Sequence, residues 1–266
     1  CQKESLPSKS MEKIYFEKLK KEKKFTGDLI LVYNKIYKEL CIESNFADDK
    51  IINIVGMPRA DDLFYKQNSS KSHITFFMVR GSAGLSGVDK KFTWNDLSEK
   101  ILNKTLEFSE KNKNQMILFK TKLIKDPETD YFQRVITNKK LKNCKIVKGG
   151  NSYELILNSK FLICFHSTSI FEGLIAKKPI LIPYFDEYAE QLKEYMCDVS
   201  GTKNIFLARN IDEFEGYLNL LSNEEITYSE NERDNDKKLI EFNIGNIDGN
   251  STKRLVKSIE NLFSNS

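Results

Sequence analysis

The sequence His166-Ser167-Thr168-Ser169, followed three residues later by Glu172, concentrates groups that could do chemistry. Hydroxyl, imidazole and carboxylate groups at this spacing could bind a phosphate or the hydroxyl groups of a sugar. His166 could act as a general base, or it could be a hydrogen-bonded histidine at the end of a strand. Glu172 could grip ribose or sugar hydroxyls, or it could only complement the dipole of a helix.

The elements around this segment can be predicted from its flanks. Residues 161–165 form a continuous apolar run, which is typical of a strand buried on both faces. Ser169 is a suitable N-cap, and apolar residues then recur at helical spacing until Lys177, before Pro179 opens a second apolar run. The pattern predicts a strand, a turn, a helix and a second strand. Parallel sheets bind phosphate where such a helix begins, beyond the carboxyl end of a strand.

Two more polar segments follow predicted strands. Arg59 lies in the turn 56–62, which contains a glycine and a proline and comes after the predicted strand 51–55. Lys120 ends the predicted strand 115–120. A lysine in this position is often only a solvated strand end.

A glycine-rich loop, residues 80–87, follows the predicted strand 74–79 and contains Gly81 and Ser82. Three glycines allow backbone N–H groups to approach an anion closely. The loop matches neither the Walker A sequence nor G-x-G-x-x-G, so a flexible surface loop is an equal interpretation.

These segments should converge, because the carboxyl ends of parallel strands share one edge of the sheet. We expect a site for a phosphorylated ligand there, with Lys120 or Arg59 as the charge partner and residues 167–169 as hydrogen-bond donors. The alternative is that the serine and threonine hydroxyls only cap the helix.

Strands and helices alternate almost throughout the chain, which predicts an α/β fold with a doubly wound, Rossmann-like parallel sheet. The predicted strands are residues 28–34, 51–55, 74–79, 115–120, 145–147, 161–165, 180–182 and 205–207. The predicted helices include residues 35–44, 95–112, 128–138, 186–196 and 211–221, and a last helix follows residue 250.

Composition excludes several classes of protein. The 266 residues carry 42 basic and 38 acidic side chains, a balance that does not favour nucleic acid as a partner. The five cysteines have neither zinc-ligand spacing nor the pattern of a disulfide framework, which favours a reducing cytoplasm. No apolar run approaches the roughly 20 residues of a membrane span. Cys1 is interpreted as the start of a truncated chain, with a lipid-modified cysteine as the alternative.

A family resemblance rests on four segments in order. Residues 28–34 and 54–61 resemble the entry to the C-terminal half of GT-B-type enzymes, which act on nucleotide-activated sugars. Residues 166–179 are similar to the nucleotide-phosphate helix of that group. Residues 245–254, Gly-Asn-Ile-Asp-Gly-Asn-Ser-Thr-Lys-Arg, resemble the closing helix of its capsule and lipopolysaccharide enzymes.

The resemblance covers residues 28–264 and implies the C-terminal domain of a GT-B fold. Residues 1–25 would be the tail of a truncated N-terminal domain and its linker, and residues 26–266 the domain that binds a nucleotide sugar. It implies no cofactor and no metal, with the nucleotide sugar as substrate and a glycan or lipid-linked acceptor as partner. The expected location is the cytoplasm, including peripheral contact with the inner face of the membrane.

The implied function is transfer of a sugar from a nucleotide-activated donor in bacterial surface carbohydrate synthesis. We predict Lys120 and His166 as the catalytic residues, and the predicted substrate-binding residues are Arg59, Gly81, Ser82, Ser167, Thr168, Ser169 and Glu172. The sequence departs from the family where Lys120-Thr121 replaces a common His-Pro pair. A non-hydrolysing UDP-sugar 2-epimerase, a CDP-glycerol glycerophosphotransferase and a non-catalytic binding domain remain alternatives.

Overall fold

The computed structural model describes residues 8–66, 71–78, 94–121, 127–150, 152–165, 167–199, 202–224, 226 and 230–264. The strands are β1 (Ile30–Val32), β2 (Ile52–Ile54), β3 (His73–Phe77), β4 (Ile117–Thr121), β5 (Cys144–Lys148), β6 (Ser159–Cys164), β7 (Ile180–Pro183) and β8 (Ile205–Ala208). The helices are α1 (Lys9–Lys21), α2 (Lys35–Glu43), α3 (Asp61–Tyr65), α4 (Trp94–Lys111), α5 (Pro127–Asn138), α6 (Ser152–Leu157), α7 (Ser169–Ile175), α8 (Ala189–Tyr195), α9 (Ile211–Asn223), α10 (Glu230–Ile244) and α11 (Ser251–Ser264).

Within the described residues the main sheet has six strands in the order β5-β4-β3-β6-β7-β8, and every pairing is parallel. Counted from β3, this is the order 3-2-1-4-5-6 of the Rossmann fold. The central strand β6 has Phe161, Leu162 and Ile163 fully buried, because helices cover both faces of a parallel sheet. The predicted doubly wound α/β sheet is confirmed.

The direction of the chain across the sheet reverses once. From β3 the chain proceeds through α4 to β4, whereas from β6 it proceeds through α7 to β7 on the other side. Because both crossovers are right-handed, α4 and α7 lie on opposite faces of the sheet. Helix α9 packs with α4, and α10 packs with α7. In open α/β sheets such a reversal point is where a ligand-binding crevice forms, which here would lie beyond the carboxyl ends of β3 and β6.

The first two predicted strands lie outside this sheet. Strands β1 and β2 pair in parallel with one another in a separate two-stranded sheet. A small apolar cluster of Val32, Cys41, Ala47 and Ile52 supports it, with Leu19 from α1 packed against the cluster. The alternation of strands and helices could not reveal this separation, because both sheets use the same local pattern. The domain boundary after residue 25 stays a prediction.

The C-terminal segment, residues 245–254, returns to the turn that follows β2. Gly245 ends α10 with a φ of 84°, and a Cβ on it would lie 2.1 Å from the Tyr33 carbonyl oxygen. Asn34 donates from its side-chain amide to the carbonyl oxygens of Phe242 and Asn243. This close approach requires glycine at position 245, and it joins the end of α10 to the two-stranded sheet.

Candidate functional site

The carboxyl edge of the main sheet carries the predicted site. Phe165, Ser167 and Thr168 follow β6 at this edge, and β3 is the neighbouring strand. The glycine-rich loop with Gly81 and Ser82 lies outside the described residues, and so does His166. The roles predicted for these three residues therefore stay predictions.

Arg59 crosses from the turn after β2 to the start of α7. Its Nη2 donates to Thr168 Oγ1 at 2.7 Å and lies 2.8 Å from Glu172 Oε1. The Glu172 side chain is 5 % exposed and the Arg59 side chain 29 %. A carboxylate that is removed from water needs such a charged partner, so the pair holds both groups in a fixed orientation. The structure thus brings together three of the predicted site residues.

The turn before α7 differs in detail from the prediction. Ser169 is the first residue of α7 and Thr168 occupies the N-cap position, so the assignment of Ser169 as N-cap is wrong. Ser167 Oγ donates to Ser169 Oγ and accepts from the Ser169 N–H, both at 3.2 Å. The Ile170 N–H donates to the Ser167 carbonyl oxygen at 3.1 Å.

These hydrogen bonds occupy backbone groups of the turn that could otherwise bind a ligand. The N–H groups of Ser169 and Ile170 already have acceptors within the turn. Ser169 is 7 % exposed, whereas Ser167 and Thr168 are half-buried. The Thr168 side chain is therefore better placed to donate to a bound molecule than the backbone amides or the Ser167 hydroxyl, which donates to Ser169, and ligand binding by Ser167 stays a prediction.

Lys120 lies on the same edge of the sheet but apart from this cluster. It is on β4, and β3 separates β4 from β6, which corresponds to a lateral distance of roughly 10 Å. Its Nζ donates to the carbonyl oxygens of Gly149 and Thr121, and burial lowers the pKa of the amine. The amine thus joins the end of β4 to the end of β5, and a catalytic role for Lys120 stays a prediction.

The cluster is suited to hydroxyl and phosphate groups. A fixed carboxylate accepts hydrogen bonds from vicinal hydroxyls, and guanidinium and hydroxyl groups donate to phosphate oxygens. Among the described residues no group of three or more histidine, cysteine, aspartate or glutamate side chains could hold a metal ion. None of the described helices is long and apolar enough to cross a membrane.

The structure also contains a hollow that the sequence did not predict, which is called the second hollow to separate it from the candidate site. It has a volume of about 570 Å³ and lies between α4 and the segments that follow β7 and β8. Its charged groups pair with one another, as in Lys100 with Glu187 and Arg209 with Asp186, the latter at 3.7 Å.

Sequence reasoning missed the partners of Arg59 and the residues that hold its turn. The ion pair joins Arg59 and Glu172, which are 113 positions apart, and no local pattern signals such a contact. Asp61 lies in the same segment, residues 56–62, and nothing in the local sequence signals that its carboxylate accepts N–H donation from Ser251 and Thr252. The one available signal was the resemblance of residues 245–254 to a closing helix.

Comparison with solved structures shows which class of protein shares this fold. UDP-GlcNAc 2-epimerase from Methanocaldococcus jannaschii, in complex with UDP-GlcNAc and UDP, matches 88 % of this chain with a TM-score of 0.52 and 15 % identity. A variant of the wall teichoic acid polymerase TagF matches 96 % with a TM-score of 0.55 and 15 % identity. S. aureus MnaA, in a structure with UDP, matches 90 % with a TM-score of 0.52 and 12 % identity.

The chain therefore has the fold of the GT-B and UDP-sugar 2-epimerase-like proteins, as the sequence resemblance predicted. It spans 61 % of the length of the M. jannaschii epimerase, 62 % of TagF and 60 % of MnaA. No protein-family model matches the sequence, and no curated protein matches it.

Proposed function

We propose that this chain forms the donor-binding part of a glycosyltransferase that uses a nucleotide-activated sugar in bacterial surface carbohydrate synthesis. The observation that carries the proposal is the bridge from Arg59 to Thr168 and Glu172 at the start of α7, which follows β6 at the reversal point of the sheet. Ligands of open α/β sheets bind at this reversal point. The similar structures with UDP-GlcNAc or UDP support a nucleotide sugar as the ligand.

Each residue has a role in the proposed site. Glu172, held by Arg59, accepts hydrogen bonds from the hydroxyls of ribose or sugar. Thr168 donates to the nucleotide phosphate, as does Ser167 once its hydroxyl turns away from Ser169, and Arg59 and Lys120 offset the charge of the phosphate as it leaves the sugar. We expect no metal requirement if these cations supply that stabilisation. The acceptor is a glycan or a lipid-linked molecule, reached from the inner face of the membrane.

Calorimetric titration with UDP, CDP and CMP tests the proposal. We expect one of the three nucleotides to bind, and Thr168→Val and Glu172→Gln each to weaken its binding by roughly tenfold, because the first removes a hydroxyl donor and the second replaces a charged acceptor by a neutral amide. Thr137→Val is the matched control, since Thr137 is exposed on α5 and remote from the crevice. Wild-type affinity in both site variants would contradict the proposal.

A 2-epimerase is the second candidate, because one of the similar structures is a UDP-GlcNAc 2-epimerase in complex with UDP-GlcNAc and UDP. An epimerase converts the nucleotide sugar with no acceptor present, whereas a transferase requires an acceptor. Incubation of the full-length protein with UDP-GlcNAc alone, followed by chromatography of the sugar, separates the two. A glycerophosphotransferase would consume CDP-glycerol instead, and a non-catalytic domain would bind a donor without consuming it.

A further inference from the structure

The turn that carries Arg59 is fastened to the C-terminal segment of the chain. Asp61 Oδ1 accepts from the Ser251 N–H at 3.1 Å, and Asp61 Oδ2 accepts from the Thr252 N–H at 2.7 Å. Asp61 thus caps α11 from 190 residues away in the sequence. A carboxylate in this position also complements the dipole of the helix, which strengthens both bonds.

Other contacts also join the region around this turn to the C-terminal segment. Arg254 Nε donates to the Val55 carbonyl oxygen at 3.0 Å, and Arg254 Nη1 donates to both carboxylate oxygens of Asp248 at 2.9 and 2.7 Å. Tyr65 donates its hydroxyl to the Gly249 carbonyl oxygen at 3.2 Å. The hollow between the two segments holds only about 10 Å³, room for one water.

Arg59 lies inside this fastened turn, two residues before Asp61. The turn is a single 3-10 turn, Pro58–Ala60, closed by donation from the Ala60 N–H to the Met57 carbonyl oxygen at 2.9 Å. Because so short a turn has few ways to move, the position of Asp61 sets the direction in which Arg59 leaves the backbone.

We propose that Asp61 is a positioning residue of the candidate site. Its cap on α11 holds the turn, and the turn directs Arg59 onto Thr168 and Glu172. The C-terminal helix thereby takes part in the site without contacting the ligand. The effect on ligand affinity rests on the proposed nucleotide site, whereas the effect on Arg59 does not.

The test uses Asp61→Ala, with Asp61→Asn as a milder variant that keeps one acceptor oxygen. Asp62→Asn is the matched control, because Asp62 is the next residue of α3 and its side chain is exposed. Two quantities are measured in each protein. The first is the solvent exchange of the buried Arg59 Nε–H, followed by ¹⁵N NMR without ligand. The second is the affinity for UDP, alone and in an Arg59→Ala background.

We expect Asp61→Ala to speed exchange of the Arg59 Nε–H, because the turn is no longer held by the cap. UDP binding should weaken by roughly fivefold, the factor that matches the typical free energy of a helix cap when all of it serves to position Arg59. In the Arg59→Ala background the same change should alter affinity by less than about twofold, because the two residues act through one path. Asp61→Asn should lie between wild type and Asp61→Ala, and Asp62→Asn should match wild type.

Two results would overturn the inference: unchanged Arg59 Nε–H exchange in both Asp61 variants, or an equal loss of UDP affinity with and without Arg59. A wild-type protein that binds no UDP counts against UDP as the ligand of the proposed site. The exchange measurement still decides the role of Asp61 in that case.

Discussion

The ion pair between Arg59 and Glu172 is the central feature at the scale of single residues. Glu172 is 4 % exposed, so its charge depends on a partner inside the protein. Arg59 supplies that partner at 2.8 Å and also binds Thr168. A buried pair of this kind contributes little net stability but is costly to break on one side only.

Arg59→Met should therefore destabilise the protein by about 2–4 kcal/mol, because it leaves the Glu172 carboxylate buried without its guanidinium. Adding Glu172→Gln should restore most of the loss. Urea unfolding followed by circular dichroism measures both, with Arg134→Met on the exposed face of α5 as control. If Arg59→Met unfolds at the same urea concentration as the control, the pair is not formed in solution.

Lys178 allows a second test at this scale. Burial lowers its pKa to about 8, with a smaller contribution from the charge of Lys71. The unfolded chain holds this proton up to pH 10.5, so the folded state gains stability as pH rises between about 8 and 10.5. Lys178→Met removes that dependence.

We expect Lys178→Met to be more stable than wild type at pH 7 by about 1–3 kcal/mol, and the difference to shrink as pH approaches 10. Lys177→Met is the control, since Lys177 is the exposed neighbour in the chain. Unfolding curves at several pH values provide the measurement. A difference that stays constant from pH 7 to pH 10 would show that Lys178 is not buried as the structure has it.

At the scale of elements, the central feature is the contact between the C-terminal segment and the turn after β2 of the two-stranded sheet. Residues 245–254 contact the turn after β2 through Asp61, Tyr65 and Val55. Arg254 holds the pKa of Asp248 at about 2 by hydrogen bonding to its carboxylate, so this ion pair persists until strongly acid pH. The segment therefore acts as a fixed connection at neutral pH.

Gly245→Ala should destabilise the protein by at least about 2 kcal/mol, because alanine is strained at a φ of 84° and its Cβ would collide with the Tyr33 carbonyl oxygen. Gly216→Ala on α9 is the matched control, since no atom lies within 4 Å of the added Cβ. That change should stabilise the helix by about 0.5–1 kcal/mol. Thermal unfolding of both variants measures the contrast, and equal effects would contradict the close approach at position 245.

Periodicity predicted most elements because each leaves a local signature. The apolar run at 161–165 and Pro179 gave β6, α7 and β7 within a few residues. The sequence could not show that β1 and β2 form a separate sheet, since pairing partners depend on distant parts of the chain. For the same reason it predicted Arg59, Thr168 and Glu172 as separate candidates but not the bonds between them.

At the scale of the whole molecule, the described residues form the six-stranded Rossmann-like main sheet and the separate two-stranded sheet of β1 and β2. A two-stranded sheet is at best marginally stable alone, and here α1, α2 and the end of α10 support it. The similar structures are longer than this chain, which spans about three fifths of the length of those compared here. One fold serves an epimerase and a polymerase among these structures, so the reaction has to be settled by the site.

The most direct test of the account is an NMR titration of the ¹⁵N-labelled protein with the nucleotide that binds most tightly in calorimetry. The account predicts that the largest shifts occur at the amides of residues 167–172 and at the side chain of Arg59. The second hollow, reported by the amides of residues 186–187 and 209–211, should remain unchanged. Shifts confined to that second hollow, with residues 167–172 unaffected, would contradict it.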